Sequence, residues 1–286
     1  MTVRIQDDFD LEKIRQSGQC FRIRTFKDGS YRFITGREVL YIRQTDGNLY
    51  EVSCCEKDWD IIWKPYFSLN SDYRAIRERS AGKNPFIDRA MEESVGLRVL
   101  KQEPWEMLVT FIISQRKSIP AISGSVEMLA EKYGREINTG RESVCAFPTA
   151  EELENVSLED FQNCSLGYRG KYVLDAVRKV NSGELDLDKI ESLDDDALCE
   201  ALQTVFGVGK KVANCVCLFG YGRTGRAPVD VWIQRAIEEG CGGVNPFEQF
   251  GEDAGIIQQY MFFYQRNRKD FAKREPAEHT VAQVPD

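Results

Sequence analysis

The residues able to do chemistry in this chain are lysines, carboxylates, hydroxyls and thiols rather than histidines. The only histidine, His279, lies seven residues from the C-terminus in a short polar segment, and such segments seldom pack into a fold. Ser-His-Asp and Cys-His catalysis and histidine-ligated metal chemistry need an imidazole inside the folded body. Any catalysis therefore uses Lys, Asp, Glu, Tyr, Ser or Cys.

Two lysines follow a Gly-x-Gly turn in the second half of the chain. Gly207 and Gly209 precede Lys210 and Lys211 at a predicted helix start. Both glycines permit positive φ, and the amide N–H groups of a helix start bind phosphate well. Lys211 shares a helix face with the residues three and four positions on, Asn214 and Cys215, which predicts that it points inward. Lys210 is expected to be a solvated phosphate contact. A plain helical hairpin within a bundle is the alternative interpretation of the turn.

Asp230 is the carboxylate that belongs with these lysines. It lies nineteen residues after Lys211, behind Pro228, at another predicted helix start. A structural role as a helix N-cap explains an aspartate at this position equally well.

The elements that must position these residues fall into two classes. Residues 20–52 alternate apolar and polar side chains, with Asp28-Gly29 and Asp46-Gly47 at the turns, which predicts an antiparallel meander. A helix is predicted to begin at Asp10. From Tyr73 onward the apolar spacing is helical, and capping boxes are predicted at three positions, Thr149/Glu152, Ser157/Asp160 and Ser192/Asp195. Around the glycine turn, helices are predicted over residues 194–205 and 210–219.

The length of 286 residues is typical of two compact units. We predict an α+β protein with an N-terminal antiparallel β domain over residues 1–95, a helical domain over 96–270, and a polar tail over 271–286. The nine cysteines have no C-x2-C spacing, which favours reduced thiols over a zinc site. No membrane span or secretory signal is predicted, so we expect a protein that is not secreted and has no membrane partner.

The distribution of charge matters more than its sum. A net charge of −8 argues against a nucleic-acid partner. Residues 184–200 alone carry −7, however, while residues 207–235 and 265–274 each carry +4. A molecule of this kind can still present a basic face.

Several motifs together resemble a known family. The segment 205–215, V-F-G-V-G-K-K-V-A-N-C, and the segment 228–235, P-V-D-V-W-I-Q-R, resemble the helix-hairpin-helix, Gly/Pro-rich loop and aspartate signature of the HhH-GPD DNA glycosylase superfamily. A lysine at the position of Lys211 marks its bifunctional members. The segments 17–22, 166–172 and 255–262 narrow the resemblance to 8-oxoguanine DNA glycosylases, and together with 98–105 they span nearly the whole chain. The implied fold is a small β domain, similar to half of the TATA-binding protein, packed on helical subdomains with the active site between them.

The resemblance implies a role for each candidate residue at the lesion. Lys211 is the nucleophile that forms a Schiff base at deoxyribose C1′, and Asp230 stabilises the cationic transition state. The backbone carbonyl of Gly18 accepts the N7 hydrogen that 8-oxoguanine has and guanine lacks; a simple turn glycine is the alternative. In the base pocket, Gln258 reads the Watson-Crick edge, Phe262 stacks on the base, and Cys215 forms the opposite wall.

The resemblance also implies contacts with the rest of the DNA. Tyr168 matches the wedge that fills the gap left by the extruded base, and Arg169 matches a reader of the orphaned cytosine. The hairpin of Gly207, Gly209 and Lys210 matches the phosphate-binding element.

The chain departs from its relatives at three further positions. Arg116 and Trp232 replace an asparagine and a histidine that contact DNA in relatives, and Ala121 stands where eukaryotic members have a second cytosine-reading arginine. Trp232 can equally be a core residue.

The implied partner is double-stranded DNA containing oxidised guanine, bound by a monomer. No cofactor is required. The resemblance allows a structural cation at the hairpin backbone. The four-cysteine iron-sulfur cluster of the endonuclease III branch is excluded, because only Cys241 follows Cys217 in this chain. The expected location is the nucleoid-associated cytoplasm of a prokaryote or a eukaryotic nucleus. Two other hypotheses stay open at this point, an alkylbase DNA glycosylase of related fold and a non-catalytic helix-hairpin-helix DNA-binding module.

Overall fold

The N-terminal part of the chain forms one antiparallel sheet. The computed structural model describes residues 1–268. The strands are β1 Thr2–Arg4, β2 Arg24–Thr25, β3 Tyr31–Thr35, β4 Glu38–Asp46 and β5 Leu49–Val52, in the order β1-β5-β4-β3-β2. The predicted meander is confirmed. β1, which pairs with β5 at the sheet edge, was not predicted because three residues are too few to show alternation.

Alternation and turn chemistry explain the sheet. Phe33 of β3 pairs with Leu40 of β4, and both side chains are fully buried. The predicted turns contain Gly29 and Gly47, which both have positive φ, a conformation that glycine adopts without steric cost. The sheet therefore presents one apolar face to the helices that follow.

The remaining elements are mostly helical. Short helices α1 Leu11–Gln16, α2 Glu56–Asp58 and α3 Lys64–Tyr66 accompany the sheet, with a π-helical turn over Trp59–Trp63 between α2 and α3. The larger unit contains α4 Tyr73–Ser80, α5 Pro85–Glu93, α6 Pro104–Ile113, α7 Ile119–Tyr133, α8 Leu158–Asn163, α9 Gly170–Asn181, α10 Leu187–Ile190, α11 Asp195–Gln203, α12 Lys210–Phe219, α13 Val231–Gly240 and α14 Ala254–Asn267. 3-10 turns cover Gly167–Arg169 and Phe247–Asp253, and a hairpin of β6 Glu136–Asn138 and β7 Ser143–Cys145 interrupts the helices. The predicted α+β fold is confirmed, with this hairpin as a small unpredicted addition.

Helix starts follow the predicted capping residues in most cases. Asp10 caps α1, and the capping box of Ser157 and Asp160 starts α8. Thr149 and Glu152 exchange the expected hydrogen bonds, although only turns follow. The box predicted at Ser192 is wrong: Asp194 caps α11, and the Ser192 hydroxyl donates backwards to the Lys189 carbonyl.

Two apolar cores divide the described residues. The smaller core joins the sheet to the segment around Trp63 and Phe67. The larger core contains the helices, and it includes Tyr73, Ile87 and Met91 from α4 and α5, where α5 packs on α14. Phe21 belongs to the larger core and Leu100 to the smaller one, so the two cores interleave along the chain, and the domain boundary at residue 95 stays a prediction. The predicted tail and His279 lie outside the described residues.

Buried arginines join the sheet unit to the helical unit. Arg98 has no solvent-exposed surface; it pairs with Asp7 at 3.0 Å and donates to the carbonyls of Phe67 and Ser71 at 2.9 and 2.7 Å. Arg22, from the loop before β2, lies 3.4 Å from Glu127 of α7. Within residues 1–268, no helix combines the length and apolar character that crossing a membrane requires.

Candidate active site

A cavity of about 300 Å³ lies where α6, α7, α12, α13 and α14 meet the loop that contains Gly18. A volume of this order lies at the lower end of the range for small-molecule sites. Seven of the residues predicted from sequence line it: Gly18, Lys211, Cys215, Asp230, Trp232, Gln258 and Phe262. Residues up to 244 positions apart in sequence are thus brought to one site.

Lys211 is the second residue of α12 and points into this cavity. Its Nζ lies 5.6 Å from the centroid of the Phe111 ring, and the side chain is half-buried while that of Lys210 is exposed. Asn214 and Cys215, on the same helix face, are buried. The predicted difference between the two lysines is confirmed in their placement.

Asp230 both caps a helix and faces the cavity. Its Oδ1 accepts hydrogen bonds from the backbone N–H groups of Trp232 at 3.0 Å and Ile233 at 2.9 Å, at the start of α13. Within the described residues its Oδ2 accepts no hydrogen bond. One oxygen is occupied by the cap, and the other is available to a ligand. The two interpretations of Asp230 from sequence are therefore compatible.

One face of α14 forms a wall of the cavity. Gln258 and Phe262 are 3% and 8% exposed and follow each other by one helical turn. Arg266, one further turn along, also lines the cavity, donates to the Gln16 carbonyl at 3.0 Å and lies 5.7 Å above the Phe262 ring. Burial lowers the pKa of Arg266. This arginine was not singled out from sequence, although its spacing of four from Phe262 was visible.

The loop residue Gly18 touches the same wall. Its φ is +72°, and a Cβ there would lie 3.1 Å from Ile119 Cδ1 and 3.2 Å from Phe262 Cε1. Backbone conformation and space both select glycine at this position. The backbone of residue 18 therefore lines the cavity with no side chain in between.

The opposite wall is apolar. Cys215 is buried, and burial raises the pKa of its thiol, while the charge of Lys211 lowers it and that of Asp230 raises it. Phe111 stacks on Phe219 with centroids 5.4 Å apart and an interplanar angle of 16°. The thiol is therefore a neutral wall rather than a nucleophile. Phe21, Phe111, Ile119 and Phe219 were missed as lining residues because their sequence pattern is that of core positions.

Gly207 and Gly209 make the hairpin in different ways. Gly207 has φ +82°, and a Cβ there would lie 2.5 Å from ring atoms of Tyr172. Gly209 is the N-cap of α12 with φ −95° and ψ 177°, so of the two glycines that permit positive φ only Gly207 adopts it. Extended backbone is usual for an N-cap, and the absence of a side chain leaves the amide N–H groups of the first turn accessible.

Tyr168, Arg169 and Arg116 lie outside the cavity lining. Tyr168 is 47% exposed, whereas Arg169 is 7% exposed. Arg169 donates from Nε to the Gln115 carbonyl at 2.7 Å and from Nη2 to the Arg116 carbonyl at 3.3 Å. Arg116 itself is exposed, with a positive φ of 52°. Arg169 thereby fixes the loop that carries Arg116.

The loop between α6 and α7 is also held by Lys117. Its Nζ donates to the Ser165 carbonyl at 2.6 Å and to the Ser125 hydroxyl, and the residue is part of the cavity lining. Burial, and then the charge of Arg169, lower the pKa of Lys117. No group of three or more Cys, His, Asp or Glu side chains that could hold a metal ion occurs within residues 1–268.

Two family profiles match adjoining parts of the chain. The profile described as "8-oxoguanine DNA glycosylase, N-terminal domain" matches residues 2–108. The profile described as "HhH-GPD superfamily base excision DNA repair protein" matches residues 109–244. Together they cover both units of the fold, including Lys211 and Asp230.

Two solved structures and one named relative are similar to this chain. A structure of MBOgg1 in complex with a low-affinity DNA ligand is 36% identical with a TM-score of 0.86, over 93% of this chain and 94% of that one. The Clostridium acetobutylicum 8-oxoguanine glycosylase/lyase, in complex with double-stranded DNA containing cytosine opposite 8-oxoG, is 32% identical with a TM-score of 0.85, over 93% and 97% of the two chains. A Methanothermobacter thermautotrophicus protein named "Probable N-glycosylase/DNA lyase" is 28% identical, over 91% of this chain and 94% of its own length.

Proposed function

The chain belongs to the 8-oxoguanine DNA glycosylase family, and from that membership we propose that it excises 8-oxoguanine from duplex DNA and then cleaves the strand through a Schiff base on Lys211. The observation that carries the proposal is the convergence of Lys211, Asp230 and the Gln258/Phe262 wall on one cavity. A non-catalytic DNA-binding module needs the hairpin alone and leaves that cavity unexplained.

Lys211 supplies the covalent chemistry. Its amine attacks deoxyribose C1′, and the glycosidic bond breaks with its electron pair leaving on the base, which takes up a proton. Loss of a proton from nitrogen and ring opening give a Schiff base, which permits β-elimination of the 3′ phosphate. One residue thus accounts for both base excision and strand cleavage. The reaction proposed here requires no cofactor, and a structural cation at the hairpin backbone stays a proposal.

Asp230 supplies the electrostatic complement. Positive charge develops on the sugar as the glycosidic bond breaks, and a carboxylate fixed near it stabilises that transition state. The cap hydrogen bonds from the Trp232 and Ile233 N–H groups hold Oδ1 in place. Oδ2 is therefore already oriented and needs no reorganisation when the positive charge develops.

Base recognition uses the α14 wall and the Gly18 loop. A base deep in a stacked duplex is reachable only after extrusion. We propose that Phe262 stacks on the extruded base, Gln258 reads its Watson-Crick edge, Cys215 covers the other face, and the Gly18 carbonyl accepts N7–H. The buried position of Gln258 makes an unmatched base costly, since its amide N–H groups would be left without partners.

The remaining DNA contacts lie around the cavity. The α12 start with Gly207, Gly209 and Lys210 binds phosphates, Trp232 contacts the backbone next to Asp230, Tyr168 fills the gap, and Arg169 with Arg116 faces the orphaned cytosine. The protein acts as a monomer wherever the genome lies, in the nucleoid-associated cytoplasm or in the nucleus.

Incubation with lesion-containing duplexes tests the proposal directly. Duplexes carrying 8-oxoguanine or an alkylated adenine are incubated with the protein and separated on denaturing gels, with and without borohydride. We expect strand cleavage and a trapped complex with the 8-oxoguanine duplex, and neither product from the alkylated-adenine duplex. Base release from alkylated adenine without trapping would support an alkylbase glycosylase, and binding without either product would support a non-catalytic module.

A further inference from the structure

Three aromatic rings form a continuous row between the wedge residue and the hairpin. Tyr168 and Tyr172 meet edge to face, with ring centroids 5.8 Å apart and an interplanar angle of 78°. Tyr172 and Phe206 meet in the same way at 5.1 Å and 82°. The outer rings, Tyr168 and Phe206, are 47% and 57% exposed. Tyr172 is half-buried between them, so it is the shared support of the row.

The hairpin side of the row is fitted closely to Tyr172. The ring of Tyr172 lies against Gly207, where an added Cβ would come within 2.5 Å of three ring atoms. The N–H of Phe206, the residue before Gly207, donates to Asp175 Oδ2 of α9 at 2.7 Å. The turn that carries the phosphate-binding amides therefore rests on α9, the helix that carries Tyr172.

A second link runs beside the aromatic row. Gln115 Nε2 donates to the Gly207 carbonyl at 3.2 Å, and the carbonyl of Gln115 accepts from Arg169 Nε at 2.7 Å. The Arg169 guanidinium lies 4.5 Å from the Tyr168 ring centroid. Hairpin and wedge are thus connected through a polar path and through an apolar one.

Cations cover the exposed edge of the row. Lys171 Nζ lies 5.4 Å from the Tyr172 centroid and 5.5 Å from that of Phe206, and its side chain is exposed. Aromatic faces interleaved with cations are typical of nucleic-acid contact surfaces. The row therefore has the composition of a surface that contacts nucleic acid.

We propose that Tyr172 is a positioning residue that fixes the wedge Tyr168 relative to the phosphate-binding hairpin. The groups that bind the strand and the ring that keeps the base extruded then form one rigid surface. The inference rests on the proposed function. A wedge can keep a base out of the stack only if its own ring stays in place. Tyr172 packs between the Tyr168 ring and the turn at Gly207 and so holds the wedge in position.

The position of Tyr172 predicts a defect that depends on the substrate. Breaking a base pair and its stacking costs a few kcal/mol, and that cost falls when the lesion is already unpaired. Loss of the support should therefore slow excision from a paired duplex far more than excision of the same lesion opposite an abasic-site analogue. A variant that is merely less stable slows both alike.

The experiment compares Tyr172→Ala with Tyr172→Phe and with Tyr133→Ala, a control at the end of α7. Single-turnover excision of 8-oxoguanine is measured opposite cytosine and opposite a tetrahydrofuran abasic analogue. We expect Tyr172→Ala to lose about tenfold or more in rate on the paired duplex and no more than about threefold on the other. Tyr172→Phe keeps the ring, and within the described residues the Tyr172 hydroxyl makes no hydrogen bond. This variant should therefore match the parent in rate on both duplexes.

Each outcome bears on one of the two proposals. Equal losses of Tyr172→Ala on both duplexes, or an equal change of the ratio in Tyr133→Ala, would overturn the positioning role while leaving the proposed function intact. Failure of the parent itself to excise the lesion from either duplex would instead overturn the proposed function. A ratio changed in Tyr172→Ala and restored in Tyr172→Phe supports the inference.

Discussion

At the scale of the residue, the two adjacent lysines provide a matched pair. Lys211 lines the cavity and Lys210 is exposed beside it. We expect Lys211→Gln to abolish strand cleavage and borohydride trapping while it keeps damaged-DNA binding, because the amine is lost and the hairpin amides remain. Lys210→Gln should retain trapping. Both are measured on a duplex with 8-oxoguanine opposite cytosine, and trapping of the Lys211 variant at the level of the parent would remove this residue from its role.

The choice of opposite base depends on few side chains. Ala121 stands where eukaryotic relatives have a second arginine, and the guanidinium of Arg169 is engaged with the carbonyls of Gln115 and Arg116. Because a good base-reading contact contributes about 1 to 3 kcal/mol of discrimination, we expect excision opposite A, G or T at rates nearer to the cytosine pair than in a two-arginine enzyme.

Arg116 is the side chain that could restore this selectivity. Single-turnover excision from the four duplexes is compared between the parent and Arg116→Ala. Strict dependence on cytosine in both proteins would show that the idea of relaxed selectivity is wrong. Strict dependence in the parent that disappears in Arg116→Ala would identify Arg116 as the substitute reader.

At the scale of the element, two substitutions at the N-cap of α13 distinguish the electrostatic role of Asp230 from its capping role. Asparagine keeps a capping oxygen but has no charge, so Asp230→Asn should fold normally and lose about 10²- to 10³-fold in single-turnover rate. Asp230→Ala should lose as much rate and, in addition, about 1 kcal/mol of unfolding free energy with the cap. Rates and urea unfolding of both variants provide the comparison. A full rate in Asp230→Asn would reduce the residue to its capping role.

Helix α6 carries a buried carboxyl whose titration should be visible in stability. Burial raises the pKa of Glu106 from 4.5 to about 7, although Arg22 lowers it from 3.9 Å away. A pKa that is higher in the folded state means that the native protein binds the extra proton, so its contribution to stability is complete below pH 4.5 and is lost as the pH rises to about 7.

The variant Glu106→Gln removes this titration. We expect the unfolding free energy of the parent, relative to that of Glu106→Gln, to fall between pH 5 and pH 7 and then to level off. Urea unfolding at pH 5, 6, 7 and 8 measures the difference. A difference that is constant across this range would show that the carboxyl titrates alike in the folded and unfolded chains.

Local sequence determined most of the elements, while contacts between elements determined most of the cavity. The Gly-x-Gly turn, the spacing of Gln258 and Phe262, and the alternation of residues 20–52 all depend on neighbours within a few positions, and the structure has them as predicted. Phe111 and Phe219 could not be recognised as cavity residues, because buried aromatics that line a cavity have the same periodicity as those in a core. Arg169 presents a similar limit, since its hydrogen bonds reach residues more than fifty positions away.

At the scale of the whole molecule, charge is separated less sharply than the sequence indicates. Arg226 of the basic segment 207–235 pairs with Asp195 and Asp196 of α11 at 3.3 and 2.7 Å, and Arg223 lies 3.6 Å from Asp195. Much of that segment's positive charge is therefore neutralised within the protein. Lys210, together with Lys171 and Arg116, remains exposed near the hairpin.

Binding of duplex DNA should therefore weaken with salt in spite of the net charge of −8. Each phosphate neutralised contributes about −0.9 to the slope of log K against log salt. We expect a negative slope for the parent and a slope smaller by about one for Lys210→Gln. Lys57→Gln, between Glu56 and Asp58 in the sheet unit, serves as the control and should leave the slope unchanged. Affinity independent of salt would contradict this assignment of the binding face.

The packing of α5 against α14 has a consequence for how the protein is made. α5 ends at Glu93 and α14 begins at Ala254, so about 160 residues must be synthesised before these partners can meet. Contacts so distant in sequence form late and slowly. The hairpin, whose contacts with Gln115, Tyr172 and Asp175 all reach earlier residues, can be complete while the nascent polypeptide still lacks the wall that carries Gln258 and Phe262. A growing chain can therefore complete the turn proposed to bind phosphates before α14 supplies the wall proposed to receive the base.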